Sequence, residues 1–303
     1  MAANRRLRLR LEACDTPHAV DLPRQGIVPP SRPSFGTDAR LLDELTTLVA
    51  RAAAAILAIA PAALAPRTKL DQSPVTAADE AAQAVIVDGL ARLMPGVPVV
   101  AEEAARRPEV LPSSFVLVDP LDGTREFIAG RPEFTVNVAL IVNRTPILGV
   151  IAGPALGRIW RGCVGTGAER LMFIPGQPPQ AVDPTAIRVR RAPSHGFVAA
   201  LSRSHFDAQT DALLDRLPIV ERTHLGSSAK FCLIAEASAD IYPRLSPTSE
   251  WDIAAGHAVL AAAGGTVLTP GGEPISFGRP PEFRVPAFVA WGDGEAARHY
   301  RFE

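Results

Sequence analysis

Two aspartates, Asp119 and Asp122, stand three residues apart in the stretch LVDPLDGTREF (117–127). The run before them, Phe115-Val116-Leu117-Val118, is apolar and rich in β-formers, so it reads as a buried strand. Gly123-Thr124 follows and can open the next segment with free backbone N–H groups, an arrangement that binds phosphate. A surface turn accounts for Asp-x-x-Asp-Gly alone. Two carboxylates beside a phosphate cradle make chemical sense with a cation between them, and an all-oxygen ligand set suits Mg²⁺. Other acids are similarly placed. Glu102 and Glu103 follow the apolar run 97–100, Asp252 opens the alanine-rich stretch DIAAGHAVLAAAGG (252–265), and Asp79 lies in the first turn of another predicted helix. Singly, each is an ordinary strand-end or first-turn acid. Together, at strand ends and helix starts, they are hard to dismiss and point to a cation held beside a bound phosphate.

These acids need a scaffold of alternating strands and helices. The periodicity predicts an amphipathic helix over 41–60, with Leu41, Leu45, Leu48 and Ala52 on one stripe, ending at Pro61. A second helix, 76–94, has Thr76 as its N-cap. Strands are expected at 97–103 and 114–120, then a hairpin over 133–154 turning near Asn143-Arg144-Thr145, and another over 157–171. Gly165-Thr166-Gly167 reads as a tight turn, because no helix follows it to make a phosphate loop. The proline-rich stretch 175–186 reads as a linker. Beyond it come strand 196–203, helix 207–217, strand 219–224, helix 227–238, strand 240–245, helix 252–263 and strand 265–269, an α/β pattern.

Composition narrows the function. The 303 residues are 47% hydrophobic and carry a net charge of −1, so there is material for a core and no basic surplus to hold a nucleic-acid backbone. Cys14, Cys163 and Cys232 are too few and too scattered for a disulfide framework or zinc cluster, which fits a cytoplasmic location. The most apolar helix contains Asp43, Glu44 and Arg51, which argues against an integral membrane span; peripheral association with an inner membrane stays open. Residues 1–37 are arginine- and proline-rich without periodicity and read as a disordered extension, with a transit peptide as the alternative.

The ordered set DQSPVTAAD (71–79), AEE (101–103), DPLDGTREF (119–127), GSSAKFCLIAEASADIYPR (226–244) and WDIAAGHAVLAAAGG (251–265) resembles the inositol monophosphatase superfamily of Mg²⁺-dependent, lithium-sensitive phosphatases. Within it, the set is similar to the 3′(2′),5′-bisphosphate nucleotidases of the CysQ type. The resemblance implies a five-layered αβαβα sandwich, an α+β fold of two subdomains (38–180 and 181–303), as a monomer or homodimer. It also implies a site holding two or three Mg²⁺ ions. Glu102, Asp119, Asp122, Asp252 and the Leu121 carbonyl would be the ligands, with Gly123 and Thr124 on the scissile phosphate. Asp79 and Thr124 would together polarise the attacking water. The implied substrate is adenosine 3′,5′-bisphosphate, whose second phosphate, ribose and base would meet His205, Ser227, Ser228, Lys230, Tyr242 and Arg244. Apart from the resemblance, Lys230 reads equally as a solvated helix position, Tyr242 as a strand residue packing on a helix, and His257 as a residue packed in the core or supporting the site from behind rather than a general base. An inositol monophosphatase and a non-catalytic binding protein on the same fold remain the alternatives.

Overall fold

The computed structural model describes residues 39–59, 66–68, 74–105, 107–179, 184–204 and 207–302. The expected N-terminal extension, Cys14, His205 and the middle of the linker at 180–183 lie outside the described residues. In chain order the elements begin with α1 (Ala39–Ala58), β1 (Arg67–Thr68), β2 (Pro74–Val75), α2 (Ala77–Leu93), β3 (Val99–Ala101), β4 (Ser114–Asp122), α3 (Thr124–Ile128), β5 (Thr135–Val142) and β6 (Thr145–Gly153). Then follow β7 (Arg158–Cys163), β8 (Gly167–Met172), β9 (Thr185–Ile187), β10 (Phe197–Ser202), α4 (Ala208–Leu214), β11 (Ile219–Leu225), α5 (Ala229–Ala235) and β12 (Ile241–Arg244). The chain closes with β13 (Thr248–Ser249), α6 (Glu250–Ala262), β14 (Thr266–Leu268), β15 (Arg284–Val285), β16 (Phe288–Trp291) and α7 (Gly294–His299).

Two sheets organise these elements. A seven-stranded sheet has the order β3-β4-β5-β6-β7-β8-β9, parallel only between β3 and β4. A five-stranded sheet has the order β11-β10-β12-β16-β14. Alternation along the strands sorts the core into three apolar layers. On β4, Val116 and Val118 face the cluster built with α1 and α2, whereas Phe115 and Leu117 face the cluster built with α5 and α6. On β16, Phe288 and Ala290 face that same α5–α6 layer, and Val289 and Trp291 face the cluster containing α4 and α7 residues. The result is the expected αβαβα stacking, with α5 and α6 between the sheets.

Local sequence explains most boundaries. Thr76 caps α2 by accepting from the Ala78 N–H at 3.1 Å, while Asp79 reaches back to the Thr76 N–H at 2.8 Å. The β5–β6 hairpin turns through Asn143 and Arg144, both at positive φ, as a tight hairpin requires. Gly165-Thr166-Gly167 is the turn between β7 and β8. The linker expectation needs correction at its end: β9 starts at Thr185 and pairs with β8, because the edge of β8 leaves backbone groups to satisfy. Beyond residue 269 the pattern delimits no strand, yet β16 fills the gap between β12 and β14. Four consecutive apolar residues buried on both faces carry no alternation to read.

The middle layer depends on close approach. A Cβ at Gly149 of β6 would sit 2.4 Å from the Ala255 carbonyl oxygen of α6. Gly149→Ala must therefore push α6 off the sheet, and we expect it to cost about 1–3 kcal/mol of stability in urea unfolding. On the same helix, His257 packs against the Phe277 ring with centroids 5.6 Å apart, and its Nδ1 is buried without a partner. Burial lowers its pKa to about 4. The folded protein thus refuses a proton that the unfolded chain accepts below pH ~6.5, so stability drains between about pH 6.5 and 4. His257→Phe should flatten that slope, by up to about 3 kcal/mol at the acid end, in unfolding curves measured across the window.

Candidate active site

The spacing of Asp119 and Asp122 is resolved by a bulge. Asp119 pairs with Asn137 and Asp122 with Thr135, so three steps on β4 match two on β5. In a regular strand, residues three apart face opposite sides; the inserted residue turns both carboxylates into one cleft. Gly123 then adopts φ +89°, and a Cβ there would lie 3.1 Å from the Glu133 carbonyl, so this turn needs glycine. Thr124 opens α3, and its hydroxyl lies 3.1 Å from the Leu121 carbonyl and 3.2 Å from Asp79 Oδ1. Asp79 is the capping acid of α2 and also the partner of Thr124: its Oδ2 is taken by Thr76, and its Oδ1 faces the threonine.

Glu102, at the end of β3, Asp119 and Asp252 each bring one carboxylate oxygen to within 4.8 Å of the others. Asp252 is fixed as Asp79 is. It sits at the third position of α6, where its Oδ2 accepts from the Ser249 N–H at 3.0 Å and from the Thr248 hydroxyl. Arg107 ties the Glu102 segment to α6, donating to the Glu102 carbonyl at 2.9 Å and lying over the Trp251 ring at 4.3 Å. Asp122 stands beside the trio with its Oδ2 bound to the Ser228 N–H at 2.6 Å.

The electrostatics show a crowded cluster of like charges. Burial, reinforced by Glu102, Asp122 and Asp252, pushes the Asp119 pKa well above the usual carboxylate range. Burial and then Asp252 raise Asp122 to about 7, while Lys230 and Arg244 pull it down. An all-oxygen, mutually repelling donor set, with Asp119 buried and Glu102, Asp122 and Asp252 half-buried, fits a hard divalent cation.

The same cleft also carries basic groups. Lys230 is fully buried rather than solvated, and its Nζ donates to the Leu225 carbonyl at 3.2 Å and to the Ser227 carbonyl. Burial lowers its pKa to about 8. The ring of Tyr242 lies 5.1 Å from that Nζ and packs edge-on against Phe231 and Phe288, so its packing role is real. Arg244 lines the cleft, donates from Nη2 to the Pro247 carbonyl at 3.3 Å, and keeps a buried Nε without a partner. Ser227 lines the cleft at φ +52°, whereas the Ser228 hydroxyl is buried against Asn137 and Thr135. His205 lies outside the described residues. Residues that the pattern reading passed over also line the cleft: Arg125, Glu126, Ser202, Ser204, Ser249 and Arg284. Asn137, which is buried behind Asp122 and Ser228 and does not line the cleft, had carried a visible signal, as an amide inside the otherwise apolar run of β5.

Known proteins match this arrangement along most of the chain. The model of the inositol monophosphatase family matches residues 39–301. A 3′(2′),5′-bisphosphate nucleotidase CysQ of Escherichia coli O157:H7 is 41% identical over 252 residues, covering 82% of this chain and 98% of the relative. CysQ of E. coli K12 is 44% identical over 223 residues, covering 73% and 86%. The crystal structure of CysQ from Bacteroides thetaiotaomicron superposes with a TM-score of 0.72 at 34% identity, over 85% of this chain and 98% of the other. An Anabaena inositol monophosphatase, at 24% identity and a TM-score of 0.66, shares the fold over 86% of this chain and 94% of its own. With its acids on the bulged β4, the end of β3 and the start of α6, the chain belongs to the inositol monophosphatase family.

Proposed function

We propose that the protein hydrolyses the 3′-phosphate of adenosine 3′,5′-bisphosphate, releasing AMP and phosphate, with Mg²⁺ as its cofactor. The observation that carries this reading is the mixed lining of one cleft: a carboxylate cluster shares it with Arg244, whose Nε is buried without a partner. A substrate with one phosphate needs only the acids; a bisphosphate uses the arginine as well. The names of the relatives at 41–44% identity support the same substrate class.

In this reading Glu102, Asp119, Asp122, Asp252 and the Leu121 carbonyl hold two or three ions. Bound there, the ions would supply positive charge to the phosphoryl oxygens and lower the pKa of water. The chain's own groups do the rest. Asp79, held by the α2 cap, accepts through Oδ1 the Thr124 hydroxyl proton, leaving the threonine oxygen to accept from the attacking water and orient it. The Gly123 turn brings the Thr124 backbone to the ester phosphate. Arg244 takes the non-reacting phosphate through its planar fork, while Ser227 and Tyr242 shape the walls. Lys230 holds the loop 225–227 and adds its charge from beneath. Residues 38–180 then form the metal-binding subdomain and 181–303 the part that selects substrate.

Phosphate release should be measured on a panel of adenosine 3′,5′-bisphosphate, the sulfated nucleotide, inositol 1-phosphate and fructose bisphosphate. The proposal expects the adenosine bisphosphate to have the highest kcat/KM, by at least about tenfold over inositol 1-phosphate. Preference for the inositol ester would overturn it.

A further inference from the structure

Ser228 stands at the start of α5 and is itself among the residues that line the cleft, where a substrate contact is the obvious role. Its surroundings give it another one. The side chain is only 2% exposed, and its hydroxyl lies 2.7 Å from Asn137 Oδ1 and 2.9 Å from the Thr135 hydroxyl. Both partners are buried on β5, in the other sheet. Asn137 Nδ2 in turn lies 3.4 Å from Asp122 Oδ2, and the Ser228 backbone N–H reaches the same oxygen at 2.6 Å.

The chemistry of these groups fixes the direction of every hydrogen. A carboxylate only accepts, so Asn137 must present its NH₂ to Asp122 and its carbonyl to Ser228. The single Ser228 proton is then committed to Asn137 Oδ1. Thr135 therefore donates to Ser228. Reversing the amide would set its carbonyl against the carboxylate and its NH₂ against the serine, so the serine proton selects one amide orientation. The chain runs Thr135 to Ser228 to Asn137, all three buried, and ends on Asp122 at the cleft.

We infer that Ser228 is a positioning residue for Asp122 rather than a substrate contact. It acts twice on the same carboxylate oxygen, directly through its N–H and indirectly by orienting Asn137. With Oδ2 held from both sides, the carboxylate has one orientation, and Oδ1 is the oxygen left to ligate. This inference rests on the reading of Asp122 as a metal ligand. It also gives the link between the sheets a purpose, since the turn before α5, supplied by one half of the molecule, sets the ligand geometry of the other.

The test is Mn²⁺ binding, read from the loss of the free-ion EPR signal, together with substrate kinetics. Outer-shell partners of metal ligands are typically worth 10- to 100-fold in affinity. Ser228→Ala keeps the N–H and removes the hydroxyl, so it should weaken Mn²⁺ binding by about tenfold. KM for adenosine 3′,5′-bisphosphate at saturating Mg²⁺ should stay within about twofold, because no substrate contact is lost. Asn137→Ala should weaken Mn²⁺ similarly. Because the hydroxyl acts through the amide, the double variant should be no worse than Asn137→Ala alone. Thermal unfolding of each variant checks that the fold is kept. Wild-type Mn²⁺ affinity in Ser228→Ala, or a raised KM with metal affinity unchanged, would overturn the inference. Asp122→Asn separates the two levels. If it weakens Mn²⁺ binding while Ser228→Ala does not, only the positioning role fails; if it binds Mn²⁺ as wild type does, the ligand assignment fails with it.

Discussion

Asp119→Asn is expected to lower kcat by about a thousandfold while leaving the metal-free protein as stable as wild type, or more stable. The two effects have one cause. Asp119 is buried with Glu102, Asp122 and Asp252 around it, and its pKa is pushed well above the ordinary range by burial first and then by those charges. Without a cation the cluster is a net cost to the fold, because buried like charges repel and are poorly solvated. The amide keeps the shape and still accepts the Leu121 N–H that Asp119 Oδ1 now accepts at 3.1 Å. It removes the charge, and with it both cation affinity and the stabilisation of the developing negative charge. Thermal unfolding in EDTA should therefore give a melting temperature at or above that of wild type. Saturating Mg²⁺ should raise the melting temperature of wild type, since it binds the folded state alone, and raise that of the variant much less. Near-wild-type turnover at high Mg²⁺ would refute Asp119 as a ligand. A variant that melts well below wild type in EDTA would show that the residue serves the fold instead.

Arg244→Ala should lose about 10- to 100-fold in kcat/KM on adenosine 3′,5′-bisphosphate, the effect of one charge-assisted contact of about 1.5–3 kcal/mol. The loss should fall mostly on KM, since the second phosphate keeps its charge throughout the reaction. Hydrolysis of 2′-AMP or inositol 1-phosphate, slow in wild type, should change by less than about threefold, because neither presents a second phosphate. Lys230 carries a different expectation from Arg244. Its Nζ is already engaged by the Leu225 and Ser227 carbonyls, so it supports the loop rather than reaching freely into the cleft. Lys230→Met should reduce both substrate types together, through loss of that loop geometry. An equal loss on one- and two-phosphate substrates in Arg244→Ala would remove the structural argument for a bisphosphate.

The acids show what the sequence by itself determined. Asp79, Glu102, Asp119, Asp122 and Asp252 were legible because each sits where a local pattern changes, at a strand end or in a helix's first turn, and local patterns are what a sequence displays. The capped start of α2 and the tight β5–β6 turn were legible for the same reason, being set by residues within four positions of each other. The layer order was not legible in the residues themselves, because the apolar runs of β4 and β16 are buried on both faces and show no period; only the structure sorts their alternate residues into different clusters. Tertiary structure decided the rest. Only pairing with β5 creates the bulge that turns Asp119 and Asp122 to one side. Only the packing of α5 between the sheets buries Lys230 and turns the Ser228 hydroxyl from the cleft toward Asn137, 91 positions away in the chain. Side-chain direction at these positions depends on which backbone groups lie nearby in space, and burial makes satisfying them obligatory. No window of neighbouring residues contains that information.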